Sequence, residues 1–471
     1  MIPPRLEFLT RPDLPPAQLA AVFGDAGEEI YLVGGSVRDA FLERELEDFD
    51  FATRARPDRV KELLEPWADV VYDVGARFGT VAARRDGKTV EVTTYRSEVY
   101  RDDSRKPHVT YSDDIETDLS RRDFTVNAIA LSLPGLEPID PHDGLADIAR
   151  QVLRTPLDPE ISFGDDPLRM LRLFRFQASL DFSPDETAVA AVRGMASRLE
   201  IISAERIRDE LSKLLVSPAP GNALRLIVET GLAAEFLPEL PGLAMQQDPH
   251  HHHKDVLAHT FAVVDKASPD LTLRLAALLH DVGKPETREF GPSGVTFHHH
   301  EVVGARMARR RLRDLRYPRE VVDDVSQLVY LHLRPHTLKL GWTDSAVRRY
   351  VRDAGPLLDR LNELVRCDVT TANKRRERSI QTRIDELEER IAELSAQEEL
   401  AKLRAPLDGN DVMSYLTLAP GPKVGEIMDI LLEKRIEDGP YSKHTGYEVA
   451  RDWAVSNGMP DPGPPPGHEE E

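Results

Sequence analysis

Tyr31-Leu32-Val33-Gly34-Gly35-Ser36-Val37-Arg38-Asp39 is followed nine residues later by Asp48-Phe49-Asp50. Apolar residues 30–33 predict a strand, two glycines let the backbone approach a ligand closely, and Ser36 is placed to cap a helix beginning at Val37. A nucleotide phosphate suits such a turn. In the second strand side chains alternate faces, so Asp48 and Asp50 point one way while Phe49 and Phe51 point into the core. Two carboxylates side by side on one face call for Mg²⁺.

Two-metal phosphoryl transfer holds ions roughly 3.5–4 Å apart and draws ligands from more than one strand. Glu91 is the candidate third acid. In Lys88-Thr89-Val90-Glu91-Val92-Thr93-Thr94-Tyr95-Arg96 the valines face one way and Glu91 the other. Taken alone, an acid among valines reads as the exposed face of an edge strand; the Asp48/Asp50 pair is what favours a metal-site role. In Arg121-Arg122-Asp123-Phe124-Thr125-Val126-Asn127-Ala128-Ile129-Ala130, Arg122 is suited to hold a triphosphate, and Asp123 and Asn127 to contact a sugar. The run Asp165-Asp166-Pro167-Leu168-Arg169-Met170-Leu171-Arg172 predicts a helix with Asp166, Arg169 and Arg172 on one face. Cytosine and adenine each present an amino donor beside a ring-nitrogen acceptor. A carboxylate only accepts and a guanidinium only donates, so Asp166 with Arg169 suits C and A and repels U and G.

The chain has 471 residues, 41% hydrophobic and 30% charged, with net charge −21. That length suggests about three domains at roughly 150 residues each. The charge argues against a protein that coats nucleic acid generically, and DNA is not an expected partner. Local arginine runs remain, at Arg105-Lys106, Arg121-Arg122, residues 306–316 and residues 374–378. Charge reversal at Arg309 and Arg310 is the test of a phosphate-tracking role. No apolar run approaches the roughly 20 residues that span a membrane, so no membrane role is expected. Residues 1–5 show no basic segment leading an apolar core, and one cysteine, Cys367, allows no internal disulfide. A cytoplasmic protein is expected.

The fold class expected is α+β. Residues 1–155 read as a nucleotidyltransferase-type α/β head, with β-rich runs at 80–83, 89–95 and 129–133. Residues 156–240 read as a helical neck carrying the nucleotide-reading helix, in which 203–211 is a capped amphipathic helix. Pro238, Pro241 and the polar stretch 246–253, including the tetrad 250–253, mark a boundary. A His-rich helical domain follows at 241–375, then a helix or short coiled coil at 376–405, where Ile380, Ile384, Leu387, Ile391 and Leu394 recur at spacings of three and four. A small helical unit occupies 406–455, and 456–471 is too Pro-rich and acidic to fold.

These motifs, in this order, resemble the tRNA nucleotidyltransferases of the bacterial class II type, the CCA-adding enzymes, which share their head with bacterial poly(A) polymerases. The resemblance extends over nearly the whole chain. It implies a polymerase-β-like head, nucleotide contacts at Gly35 and Arg38, a metal pair at Asp48 and Asp50, a supporting acid at Glu91 and a triphosphate contact at Arg122. It also implies that Asp166, Arg169, Arg172 and Arg175 form the nucleotide-reading helix. Asp140-Pro141-His142-Asp143-Gly144 matches a spacer motif that couples head and neck. The family often has Glu-Asp where this chain has Asp165-Asp166; the base-pairing acid is the second. The implied reaction is template-independent addition of CCA to tRNA from CTP and ATP.

His259, then His280-Asp281, and much later Asp368 stand in the order of an HD-type metal site, with His300 and His332 as ligands for a second ion. Imidazole with carboxylate suits a divalent transition metal or Mg²⁺. The resemblance here is to HD phosphohydrolases. Alternatives stay open: a poly(A) polymerase, an enzyme adding only A or only CC, an HD metallophosphohydrolase whose head binds RNA, or a small-molecule nucleotidyltransferase. Residues separating CCA addition from poly(A) addition and from A-only or CC-only addition fall in a loop near 100–112.

Overall fold

The computed structural model describes residues 4–46, 48–72, 79–99, 108–112, 114–245, 255–291, 294–337, 343–369, 374–398 and 404–466. The tetrad 250–253, Arg105, Lys106 and most of the segment 100–112 lie outside them. The chain divides into two units, Met1–Met245 with Arg311–Tyr317, and Gln246–Arg310 with Pro318–Glu471.

The first unit is α+β. Its strands are β1 (Tyr31–Val33), β2 (Asp48–Thr53), β3 (Val70–Tyr72), β4 (Thr80–Arg85), β5 (Lys88–Thr94), the side pair β6 (Arg96–Val99) and β7 (His108–Tyr111), then β8 (Ala130–Ser132), β9 (Pro138–Ile139) and a short parallel pair, β10 (Val152–Leu153) and β11 (Ser183–Pro184). Seven form one sheet, in the order β3-β4-β5-β2-β1-β8-β9. Within it β2 and β5 run parallel, and the other neighbours are antiparallel. The strands obey the period of two. Phe49, Phe51, Val81, Ala83, Val90 and Val92 are buried on the face that receives the helices Gly35–Phe41 and Pro57–Leu64, whereas Asp48 and Glu91 are exposed. Beyond the acids, Ala52 joins Val33, Tyr95, Ile115, Leu119, Ala128 and Ala130 in a second core. That core seats the segment carrying Arg121 to Asn127 over the end of the sheet.

From residue 156 onward the first unit is almost wholly helical. The helices Leu168–Leu180, Ala204–Leu215 and Pro220–Glu229 pack together, and Ser203 caps the second by accepting from the Arg206 amide. In the second unit, Val256–Lys266, Leu271–Leu279, Arg319–Leu331 and Leu358–Asp368 share a core of Leu275, Leu278, Val325, Leu328, Leu361 and Leu364. The helix Lys374–Glu398 buries Ile384, Leu387 and Leu394, and packs on Asp344–Ala354 and Leu358–Asp368. Helices Gly409–Leu416, Pro422–Asp438 and Lys443–Ser456 close around Val412, Ile427, Leu431 and Ala450. Past them Asp461 pairs with Arg451. Among the described residues, no helix is long and apolar enough to cross a membrane.

Candidate active site and HD metal centre

The helix after β1 begins at Gly35, two residues before the expected start, and Ser36 lies inside it. Gly34 takes the capping position with φ 69°, a left-handed conformation that glycine adopts without penalty. Ser36 instead fastens the turn to β2, donating to the Asp48 carbonyl at 3.2 Å and accepting from the Asp50 amide at 3.0 Å. A Cβ on Gly34 would stand 2.8 Å from Arg122 Nη1 and 3.5 Å from Asp50 Oδ2. On Gly35 it would meet nothing nearer than the Arg38 guanidinium at 3.5 Å, so Gly34 is the glycine this turn requires.

Parallel pairing sets Asp48 beside Thr89 and Asp50 beside Glu91. Adjacent strands lie roughly 4.8 Å apart, so Asp48, Asp50 and Glu91 crowd one patch of the sheet. Among the described residues, no hydrogen bond or ion pair holds any of the three carboxylates. Loss of water raises the Asp50 pKa, and the Asp48 charge adds to this against the pull of Arg122. Desolvation likewise raises Glu91, helped by Asp50 and Asp48. Acids raised by burial and by neighbouring carboxylate charge, and lacking a hydrogen-bond donor, fit a divalent cation.

Arg122 approaches this patch while Asp118 grips its other nitrogen at 3.1 Å and Arg121 at 2.6 Å. Burial opposes the Asp118 charge, but the two guanidinium groups prevail and lower its pKa. The remaining candidates form a buried chain. Arg38 donates to Asn127 Oδ1 at 2.6 Å, and Asn127 donates to Asp123 Oδ1 at 2.9 Å. Asp123 Oδ2 pairs with Arg172 at 2.5 Å, Arg172 with Glu210 at 3.1 Å, and Glu210 with Arg175 at 2.5 Å. Arg175 also lies over the Phe176 ring at 3.7 Å. Burial works against Asp123, yet Arg172 and the Asn127 hydrogen bond hold its carboxyl well below the usual range.

Asp166 is not on the reading helix. One helix, Pro159–Asp165, ends just before it, and the next, Leu168–Leu180, begins after Pro167. Proline disfavours helical backbone in the residue before it, and Asp166 is extended at φ −140°, ψ 99°. Its Oδ1 caps the new helix by accepting from the Leu168 amide at 3.1 Å, and its Oδ2 pairs with Arg206 at 2.8 Å. Arg169, one turn on, donates to Ser162 Oγ at 2.8 Å and to the Arg121 carbonyl.

The spacer motif is a clasp. Asp140 accepts from the Gly144 and Leu145 amides at 2.7 and 2.9 Å, and Asp147 accepts from Thr125 at 2.6 Å. A Cβ on Gly144 would stand 2.1 Å from the Thr125 carbonyl. The motif thereby fixes the short 3-10 helix Thr125–Asn127 on which Asn127 sits.

In the second unit, all six HD residues converge as two groups of ligand atoms, His259, His280 and Asp368, and Asp281, His300 and His332, each within 4.8 Å. Asp281 joins them, lying 3.2 Å from His280 Nε2 and 3.5 Å from His300 Nε2. His280, His300 and His332 each place Nδ1 2.6–2.8 Å from the carbonyl three residues back. That bond puts the proton on Nδ1 and turns the Nε2 lone pair into the site. The Nε2 atoms of His300 and His332 are buried without a hydrogen-bond partner. Two orphaned lone pairs beside carboxylates fit a metal centre. Burial disfavours the charge on His280, but Asp281 and Asp368 outweigh it and push its pKa up to about 10, while burial and His280 push His332 down to about 3. Burial also opposes the Asp281 charge, yet His280 and Lys284 hold its pKa well below normal.

Of the arginine run 306–316, Arg309 is paired with Asp323 and Arg311 with Glu239. Sequence reasoning passed over Asp118, Ser162, Glu210, Gly283 and Lys284. Glu210 carried a signal, since it lies on the apolar stripe of Ile207, Leu211 and Leu214.

Residues 30–154 match the model of the poly A polymerase head domain, residues 181–243 that of a probable RNA and SrmB binding site of polymerase A, and residues 252–388 that of the HD domain. A CCA-adding enzyme of Lactobacillus helveticus is 40% identical over 219 residues, 46% of this chain and 53% of that protein. One from Streptococcus sanguinis is 44% identical over 218 residues, again 46% and 53%. The chain thus spans about half the length of the curated relatives it matches. A solved CCA-adding enzyme of Bacillus stearothermophilus, in complex with CTP, is similar over 94% of this chain and 99% of that one, with TM-score 0.69 and 27% identity. A Thermotoga maritima CCA-adding enzyme complexed with tRNA shares the fold at TM-score 0.57 and 17% identity, over 94% and 97%. This chain therefore carries a head domain of the poly A polymerase family, followed by the RNA-binding region of those polymerases and an HD domain.

Proposed function

We propose that the first unit adds C, C and A to the 3′ end of tRNA from CTP and ATP, without a nucleic-acid template and with release of pyrophosphate, in the cytoplasm where tRNA is processed. The pairing of Asp50 with Glu91 across parallel strands, with Arg122 close above Gly34, carries the reading. Asp48 and Asp50 would hold Mg²⁺, supported by Glu91. Such an ion would lower the pKa of the RNA 3′-hydroxyl and offset charge on the α-phosphate and departing pyrophosphate. Arg122, braced by Asp118, meets the triphosphate. A carboxylate has about four lone-pair sites and a guanidinium five donors. Asp166 therefore retains acceptor capacity, and Arg169 donor capacity, for the base edge of C or A beside the bonds they already make. Asp123, Asn127, Arg172 and Arg175 act as the wall that holds these groups, with Arg38 tied to it through Asn127. The names of the two curated relatives and the CTP bound by the Bacillus enzyme support this choice.

Incubation with tRNA lacking its 3′ end and each labelled nucleotide tests the proposal. Two C and one A are expected. Long tails from ATP alone would replace it with poly(A) synthesis, and transfer surviving Asp48→Ala would remove the proposed active site.

A second activity is favoured by the orphaned Nε2 atoms of His300 and His332. We infer a metal-dependent phosphohydrolase at the HD cluster, in which each of the two groups of three residues would hold one divalent transition-metal ion. His280→Ala should abolish phosphate hydrolysis and leave nucleotide transfer intact.

A further inference from the structure

The strands Arg288–Gly291 and Gly294–Phe297 stand in sequence between Asp281 and His300 of the HD cluster. They pair antiparallel, Arg288 opposite Phe297 and Phe290 opposite Val295. The root of this ribbon is fastened to the cluster. His300 Nδ1 bonds the Phe297 carbonyl at 2.8 Å, and Thr287 Oγ1 donates to the Gly283 carbonyl at 3.0 Å.

One face of the ribbon alternates cations and rings. The Lys284 ammonium lies 2.6 Å from Asp281 Oδ2 and 5.7 Å from the Phe297 centroid. Across from Phe297 is Arg288, whose guanidinium lies 4.6 Å from the Phe290 centroid. Alternation keeps Arg288 and Phe290 on one face and turns Glu289 to the other. Phe290 is 69% exposed, the highest value among the exposed large hydrophobic residues described. It packs into no core. From the ribbon root to Phe290 is two strand residues, about 7 Å.

We propose that Phe290, backed by Arg288, is a platform on which a nucleobase stacks, so that the HD site selects nucleoside phosphoesters over phosphoesters at large. The proposal rests on the reading of the cluster as a metal-dependent phosphohydrolase. The phosphate would lie toward Lys284 and the cluster, and the base would cover the ring. A free nucleotide and the terminal nucleotide of an RNA strand offer the same chemistry.

The test is full-length Phe290→Trp, stripped of metal and read by tryptophan fluorescence against the wild type, which has three tryptophans of its own. A nucleoside 2′,3′-cyclic phosphate and a short single-stranded RNA with a terminal phosphate are titrated separately, with glycerol phosphate as control. Quenching specific to the new tryptophan by either nucleotide ligand, and not by glycerol phosphate, supports the platform. The more effective ligand identifies the source. In the metal-loaded protein, Phe290→Ala should raise KM for the nucleotide substrate about 5- to 150-fold, the range expected from losing one stacked base, with kcat unchanged and Phe290→Tyr restoring it. Absence of quenching overturns the proposal, as does an unchanged KM in Phe290→Ala. If the wild type hydrolyses nothing, the hydrolase reading fails, and quenching still decides whether bases stack at Phe290.

Discussion

Gly283→Ala should dismantle half of the HD centre without touching a ligand. A Cβ at Gly283 would stand 2.2 Å from the His300 carbonyl oxygen and 2.6 Å from the Gly304 amide nitrogen, where ordinary contact begins at 3.4 Å. Both partners are backbone, so one segment must retreat by about 1.2 Å. His300 opens the helix His300–Asp314, and its ring is aimed by its bond to the Phe297 carbonyl. Ligand distances in metal sites tolerate about 0.2 Å, so a displacement of this size removes His300 from the Asp281–His300–His332 group. Losing a group that merely orients a ligand costs about 10- to 100-fold in metal affinity; losing the ligand itself should cost at least as much. Metal content after equilibrium dialysis against buffered Mn²⁺ or Co²⁺ measures the effect. The expected result is a fall from two ions per chain toward one, with nucleotide transfer unchanged. Gly425→Ala is the control, because a Cβ there meets nothing within 4 Å. Two ions bound by Gly283→Ala with wild-type affinity would refute the idea that this close backbone approach positions His300.

Glu210→Ala leaves Arg172 and Arg175 without a shared buried acid and should destabilise the first unit by about 3–5 kcal/mol, with Glu210→Gln between it and wild type, read by proteolysis of that unit. Asp50→Asn should abolish transfer yet raise the melting temperature of the metal-free protein. A carboxyl whose pKa is raised on folding binds more protons folded than unfolded, so the charged form opposes folding above that pKa, and the wild type should approach the variant as pH falls. For His280 the pH direction is the same although here the charged form favours folding: with its folded pKa at about 10, the stability it adds to the metal-free second unit is full below its unfolded pKa of about 6.5 and is lost as pH rises through 10. A metal must displace that proton, so affinity measured by competition with a chelator should climb with pH over this window, by about tenfold per unit for one proton released.

The legible parts of this protein rest on local rules. Alternation along β2 and β5 put Asp48, Asp50 and Glu91 on the solvent side before any partner strand was known, and the observed register brings Asp50 and Glu91 together. Residue order among His259, His280, Asp281, His300, His332 and Asp368 anticipated their convergence. Two helix starts were misplaced. Gly34 turns the chain before Ser36 can cap it, and Pro167 breaks the helix that was to carry Asp166. The signal is in the sequence itself, since Pro167 disfavours helical backbone at Asp166. Asp118 and Gly283 were illegible for a different reason, since each matters through a partner brought by tertiary packing, the Arg121–Arg122 pair and the His300 backbone.

The two sites are prepared for cations in different ways. At the HD cluster, three imidazoles are aimed by carbonyls of their own helix ends or turn, so their ring orientation is set locally by the backbone. At the head, Asp48 and Asp50 are separated by one strand residue and Glu91 lies on the neighbouring strand; their crowding comes from sheet register, and no donor among the described residues relieves it. Burial, with the Asp48 charge added, opposes the charge on Asp50, and burial with both aspartates opposes that on Glu91, so the patch gains from a divalent ion. An arrangement that gains most when cation and triphosphate arrive together is suited to an ion that enters with its nucleotide and leaves with pyrophosphate. Ligands fixed by the backbone and buried from water suit an ion that stays. The same separation explains why the arginines of the reading helix are braced by Asp123 and Glu210 deep in the first unit. On the proposed reaction, a frame whose own ion pairs are already closed would hold Asp166 and Arg169 steady for the base edge while charge builds and disperses at the acids.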